Sequence, residues 1–235
     1  MPDCIKSYAF LSPEDSDKTV ESVFALQEHW INRGDYFEYP FFTLGTASYL
    51  DAQQTNDKYY ELARKLNPIL QNQFADLYKK VQDFLEEKLG HKCTIAENQA
   101  LPGFHIFLDD DFFEITVASR HVDLQYQLLN WNGLEFDPAN NISFTVYIKM
   151  PSGGGGLYFW EHTHEDLKGS DNVTIDKTLM AVDPEFVKFN QGDLVIHTGL
   201  NYHQIAPMID VQEGDQRISL QGHGVLVNGA YHLYW

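Results

Sequence analysis

Cysteine is scarce: Cys4 and Cys93 are the only two in 235 residues. A disulfide framework or a cysteine-rich zinc site needs more, and a reducing cytoplasm is the expected compartment. No run of about 18 apolar residues occurs, the length a membrane-spanning helix requires, so no membrane span is expected. The opening MPDCIKSYAFLSPEDSD lacks the basic stretch followed by an apolar one that marks a secretory signal. Positive charge is also in deficit. Lys and Arg number 16 against 34 Asp and Glu, a formal net charge of −18. A surface that acidic repels phosphate backbones and argues against nucleic-acid binding. It favours solubility and is compatible with steering of a cationic substrate. No internal repeat is visible. The four glycines at 153–156 read as a flexible turn, without the sequence context that phosphate binding needs.

What the chain does have is 43% apolar and 14% aromatic residues, enough for a sizeable core. The length fits one domain over residues 1–235. Residues 1–92 read as mainly helical. Val20, Val23, Phe24, Trp30 and Ile31 fall largely on one face of a helix over 20–31, with Gly34 as a stop. A turn-rich stretch follows. A second helix is expected over 57–66, before Pro68. A third, over 68–89, carries the stripe Leu70, Phe74, Leu77, Val81, Phe84 and Leu85, with Gly90 as its cap. From 93 to 235 the texture is β, with short β-branched and aromatic runs between Gly, Asp and Asn turns. Strands are expected near 103–108, 115–122, 142–150, 156–161, 185–189, 193–198, 202–208 and 216–227. That order predicts an α+β, mainly β chain: a jelly roll with N-terminal helices packed on one sheet.

His121-Val122-Asp123 is the chemical feature. On a strand, residues i and i+2 face the same way, so an imidazole and a carboxylate reach one metal together. His203, in Tyr202-His203-Gln204-Ile205-Ala206-Pro207, supplies a third ligand. Two His and one carboxylate on one face leave three positions open, the pattern of non-haem Fe(II) oxygenases. Arg217 and Ser219 again share a strand face, 14 residues beyond His203. A guanidinium fork and a hydroxyl can grip a carboxylate. A surface salt bridge is the plainer use of Arg217.

H-x-D, a Gly-Asp strand at Gly192-Asp193, His and then R-x-S, in that order over about residues 101–235, resemble the 2-oxoglutarate and Fe(II)-dependent dioxygenases of the double-stranded β-helix (jelly roll, cupin-like) fold. The resemblance implies His121, Asp123 and His203 as catalytic iron ligands. It implies Arg217 and Ser219, with Tyr147, at the distal carboxylate of 2-oxoglutarate, and O2 as second cosubstrate. It also implies helices buttressing the larger sheet. Related halogenases replace the ligand carboxylate; this chain keeps Asp123, which favours hydroxylation or a related oxidation. The substrate is expected to be a small molecule or peptide.

Other readings compete. Gly156, five residues, then His162-Thr163-His164 resembles the start of a cupin metal motif, but Glu165 follows immediately and Gly169 occupies the place where that motif wants its Glu. A non-catalytic jelly-roll binder, or an oxidase with the triad but no need of 2-oxoglutarate, would share the fold. His105, among apolar neighbours, reads as a core histidine. His197 stays unassigned, with a turn at Gly199 between it and His203. Tyr126, Trp131 and Trp160 read as core packing, and Asp109-Asp110-Asp111 as a solvated loop.

Overall fold

The computed structural model describes residues 4–34, 39–52, 56–115 and 118–235. In chain order the elements are β1 (Ile5–Ala9), α1 (Pro13–Ala25), β2 (Ile31–Asn32), β3 (Phe41–Leu44), α2 (Ser48–Asp51), α3 (Asn56–Leu89), β4 (Lys92–Ile95), β5 (Gly103–Leu108), β6 (Ile142–Lys149), β7 (Leu157–Thr163), α4 (Asn172–Met180), β8 (Glu185–Val187), β9 (Asp193–His197), β10 (Asn201–Ile205), β11 (Gln216–Val227) and β12 (Ala230–Tyr234). The chain is mainly β. Its large sheet runs β1-β9-β6-β11-β5-β3-β2, with β12 joined to the far half of β11 and β4 to β12; the small sheet is β10-β7-β8. All pairings are antiparallel except β12 with β4. Among the described residues no helix is long and apolar enough to cross a membrane.

Period-2 alternation in the large sheet separates core from site. One face carries Phe104 and Ile106 of β5, Phe144, Val146 and Ile148 of β6, Leu194 and Ile196 of β9, and Ile218 and Leu220 of β11. The stripe Leu70, Phe74, Tyr78, Val81 and Leu85 of α3 packs against that face. The opposite face holds His105, Thr145, Tyr147, His197, Arg217, Ser219 and His223. Sequence places these at the alternate positions of the same strands.

Helix boundaries differ from the pattern-based expectation. α1 begins at Pro13 because Ser12 caps it, accepting from Asp15 N at 3.1 Å. It ends at Ala25, where Trp30 folds back and its indole N–H donates to Val23 O at 3.0 Å. Residues 27–29 form a 3-10 turn and Ile31 enters a strand, so the periodicity over 20–31 spans three elements. Pro68 does not separate two helices: α3 continues through it, and the non-helical backbone falls at Phe74. Tyr59, Ala63, Leu66 and Leu70 extend the buried stripe upstream of Phe74, while Pro68 lies on the exposed side. Burial of one continuous face outweighs the single hydrogen bond that proline forfeits.

The β2–β3 hairpin is fastened to α2 by a buried ion pair. Arg33 donates Nη1 to Asp51 Oδ1 at 2.9 Å, Nη2 to Asp51 Oδ2 at 2.7 Å and Nε to Thr43 Oγ1 at 2.9 Å. Asp51 is fully buried and also accepts from Ala47 N at 3.2 Å. Breaking such a pair strands a buried charge, which costs about 3–5 kcal/mol. Arg33→Ala is therefore expected to lower the unfolding free energy by that amount in urea, with an unchanged m value. A loss below about 1 kcal/mol, the surface-pair range, would contradict this.

Candidate functional site

Side chains from both sheets line one cavity of about 530 Å³. Its floor is the polar face of the large sheet, and His203 on β10 reaches it from the small sheet. Beside His203 lies the segment bearing His121 and Asp123. Among the described residues these three form the only cluster of metal-ligating type, with their ligand atoms all within 4.8 Å of one another. His121 Nε2 is 3.8 Å from Asp123 Oδ1, and His203 Nε2 is 3.5 Å from Asp123 Oδ2.

Backbone carbonyls settle the tautomers. His121 Nδ1 lies 2.8 Å from Ser119 O, and His203 Nδ1 lies 2.9 Å from Asn201 O. A carbonyl only accepts, so each Nδ1 carries the hydrogen and each Nε2 turns its lone pair toward Asp123. His197 has the opposite tautomer: Gly199 N–H donates to its Nδ1 at 3.1 Å, which puts the hydrogen on Nε2, 3.9 Å from Asp123 Oδ2. It lines the cavity but presents no lone pair to the cluster. Burial depresses His203 to about 3 and His197 to about 4, against the pull of Asp123, so both rings are neutral at pH 7. Burial pushes the Asp123 carboxyl up, but the surrounding imidazoles, His203 first, outweigh it and hold the group below the usual range. Gln125 Nε2 donates to Asp123 Oδ1 at 3.0 Å. A buried carboxylate facing the Nε2 atoms of two imidazoles is a site for a divalent cation.

The strand expected over 115–122 does not form. Residues 116–117 lie outside the described set, and His121 makes a single bridge with His203, N–H to O in both directions at 3.0 and 2.9 Å. A regular ladder would next pair Asp123 with Asn201. Instead Asp123 N donates to Gly199 O at 2.6 Å. Gly199 makes this approach possible: it sits at φ +72°, and a Cβ there would lie 2.8 Å from Asp123 Cβ and 2.9 Å from Ser143 Oγ. The i, i+2 pairing of His121 and Asp123 is thus held by a glycine turn rather than a strand.

Arg217, on β11, is 4% exposed and lines the same cavity. Its fork is anchored by Nη1 to Ala206 O at 3.2 Å and Nη2 to Gly156 O at 3.5 Å, and its guanidinium carbon lies 5.9 Å from the Tyr147 ring centre. Among the described residues no carboxylate lies within 4.0 Å of it. Tyr147 lines the cavity and stacks on Phe189 at 4.8 Å. Ser219 is buried on the same strand face, flanked in register by His105 and Tyr147, but is not a lining residue.

The other candidates fall elsewhere. His162 and His164 stand at the end of β7, and among the described residues no third ligand joins them. Trp160 donates to Leu179 O at 3.0 Å in a separate apolar cluster, and Tyr126 and Trp131 pack together near β12. His105 is buried, as a core histidine would be, yet it also lines the cavity. Tyr49 carried no sequence signal, and Gly199 reads from sequence only as a turn; His223 stands two strand-face steps beyond Ser219, a spacing that could have flagged it.

No protein-family model matches the sequence, and no curated protein matches it. Solved structures match in fold. An N-substituted L-amino acid dioxygenase from Burkholderia ambifaria AMMD, in complex with alpha-ketoglutarate, superposes with a TM-score of 0.60 at 10% identity over 98% of this chain and 86% of that one. The non-haem epimerase SnoN, in complex with Fe3+, alpha-ketoglutarate and nogalamycin RO, gives 0.56 at 13% identity over 94% and 78%. The chain has the fold of 2-oxoglutarate-dependent dioxygenases. The cavity between the two sheets is the candidate site, and Asp123 and Arg217 both line it.

If Gly199 sets the position of Asp123, Gly199→Ala should weaken Fe(II) binding about 10–100-fold, the range for loss of a supporting contact, with circular dichroism unchanged. Asp123→Ala should weaken it further. Equilibrium dialysis under anaerobic conditions reads both, and undiminished affinity in Asp123→Ala would remove the ligand set.

Proposed function

We propose that this chain is a mononuclear Fe(II) and 2-oxoglutarate-dependent dioxygenase. In this reading residues 1–235 form a single oxygenase domain of double-stranded β-helix architecture. It hydroxylates or otherwise oxidises a carbon of a small molecule or peptide, in the cytoplasm.

The observation that carries the reading is a pair of buried, opposite and separately placed charges. Asp123 is 5% exposed and Arg217 4% exposed, both line one cavity, and they are not paired with each other. Burying an ion without a partner costs several kcal/mol. Each therefore calls for a ligand of opposite sign: a divalent cation at Asp123 and an anion at Arg217. A short dicarboxylate meets both demands, one end at the metal and the other on the guanidinium. Bound iron would supply the redox chemistry that couples decarboxylation of 2-oxoglutarate, with O2, to substrate oxidation, leaving succinate and carbon dioxide.

The protein's own part is placement. His121, Asp123 and His203 would take one face of the metal and leave the other open to cosubstrate and O2. Arg217 spends donors on the carbonyls of Ala206 and Gly156 and has the Tyr147 hydroxyl against it, and its remaining N–H groups are available to a carboxylate. Tyr147 beside it keeps its proton, because burial pushes the phenol up to about 12, and can donate to the same carboxylate. Apolar Leu157, Val195 and Ile205 exclude water from that end of the cavity.

Arg217→Ala is expected to raise the KM for 2-oxoglutarate by the equivalent of about 2–5 kcal/mol, with iron still bound, and Arg217→Lys should recover little of it because an ammonium lacks the planar fork. Substrate-stimulated succinate release is the assay. An unchanged KM places the anion site elsewhere, and turnover without 2-oxoglutarate contradicts the proposal.

A further inference from the structure

Asp123 is pinned through its backbone. Its N–H donates to Gly199 O at 2.6 Å, and its own carbonyl accepts from Asn141 Nδ2 at 3.0 Å. These contacts fix where the side chain starts and leave its last torsion open. The carboxylate torsion of an aspartate is broad and roughly two-fold, so the backbone alone does not decide which way the oxygens turn.

One hydrogen bond supplies that orientation. Gln125 Nε2 donates to Asp123 Oδ1 at 3.0 Å, and among the described residues it is the only group that hydrogen-bonds the carboxylate. The imidazole nitrogens stand farther off, His203 Nε2 at 3.5 Å, His121 Nε2 at 3.8 Å and His197 Nε2 at 3.9 Å. With the amide on Oδ1, that oxygen stays on the side of His121 and Oδ2 on the side of His203.

The orientation of the amide shows which partner it serves. A carboxylate only accepts, so Nε2 must face it and Oε1 must turn away. Turned away, Oε1 is buried and has no hydrogen-bond partner among the described residues. A bond to a charged oxygen is roughly twice as strong as a neutral one, and it is the neutral carbonyl that goes without. Being buried, Oε1 is not offered to a ligand in the cavity that Gln125 lines.

The ground under Gln125 lies outside the metal cluster. Gln125 opens the 3-10 turn Gln125–Leu128. Tyr126, the next residue, is buried with its ring centre 5.4 Å from that of Phe136, and its carbonyl accepts from Trp131 Nε1 at 2.9 Å. Asn130 N donates to Tyr60 Oη of α3 at 2.8 Å. The amide is thus placed by contacts that need no metal.

We infer that Gln125 is a positioning residue of the metal centre: its amide sets the rotation of the Asp123 carboxylate, so that one oxygen faces His121 and the other His203. This rests on the function proposed above, because it needs Asp123 to be a metal ligand.

Ni(II), an air-stable probe ion that binds such sites more tightly than Fe(II), is titrated by calorimetry into the unaltered chain and into Gln125→Met, which keeps the side-chain length and removes the donor. Affinity should fall about 10–100-fold, the range for losing a contact that orients a metal ligand, with the unfolding midpoint unchanged. In an Asp123→Ala background the same substitution should change Ni(II) affinity by less than about twofold, because a residue that acts through the carboxylate then has nothing to act on. General disorder of the loop would weaken both backgrounds alike. A second measurement needs no metal: by NMR, the Gln125 side-chain amide should exchange with solvent slowly, and at least about tenfold faster in Asp123→Ala. It decides alone where Gln125→Met does not fold or Asp123→Ala binds no measurable Ni(II). Undiminished Ni(II) affinity in Asp123→Ala overturns the proposed ligand set and this inference with it. If that affinity falls, then a loss under about threefold in Gln125→Met, an equal loss in both backgrounds, or amide exchange indifferent to Asp123→Ala overturns the inference alone.

Discussion

The arrangement depends on keeping two opposite charges buried in one cavity without letting them neutralise each other. Asp123 is approached from the small-sheet side by His203 and from the loop by His121. Arg217 is held on the large sheet, tethered to the carbonyls of Ala206 and Gly156. Had the two met as a salt bridge, the cavity would be electrostatically closed. Held apart, each keeps a desolvation penalty that only a bound ion of opposite sign removes.

The sheets make that separation possible. Alternation places apolar side chains of β5, β6, β9 and β11 against α3, and the alternate positions then face the cavity as a polar array. The same geometry sets the register: Phe107 lies opposite Arg217 and His105 opposite Ser219 across β5 and β11. The Phe41–Phe107 stack and Arg217 are therefore neighbours on adjoining strands. The hairpin bearing Phe41 is pinned to α2, which bears Tyr49, by Arg33 and Asp51. The far end of the chain braces β5: Trp235 is fully buried, packs against His105 at 5.1 Å between ring centres, and leaves room only for glycine at Gly103.

Much of this was legible in the sequence wherever a local rule acts alone. β5, β6, β9 and β11 fall where β-branched and aromatic runs lie between turn residues. The cluster of His121, Asp123 and His203 follows from residue type and order. What was not legible depends on long-range contacts. β1, β3, β4 and β12 are strands because a neighbour offers an edge, and their short runs have weak patterns of their own. Pro68 reads as a helix boundary, yet the buried stripe from Tyr59 to Leu85 carries the helix past it. The i, i+2 rule brought His121 and Asp123 together for an incomplete reason, since the device that aligns them is the left-handed Gly199, 76 residues beyond Asp123. His105 reads as a core residue because its sequence neighbours are apolar, and only the tertiary structure shows that Phe104 and Ile106 turn to the core while His105 faces the cavity.

The most direct test is a crystal structure grown without oxygen with Mn(II), a redox-silent stand-in for iron, and 2-oxoglutarate. Anomalous scattering should place one metal on His121 Nε2, Asp123 and His203 Nε2, with the distal carboxylate of 2-oxoglutarate on the Arg217 fork. A metal at His162 and His164, or a dicarboxylate bound away from Arg217, would contradict the account.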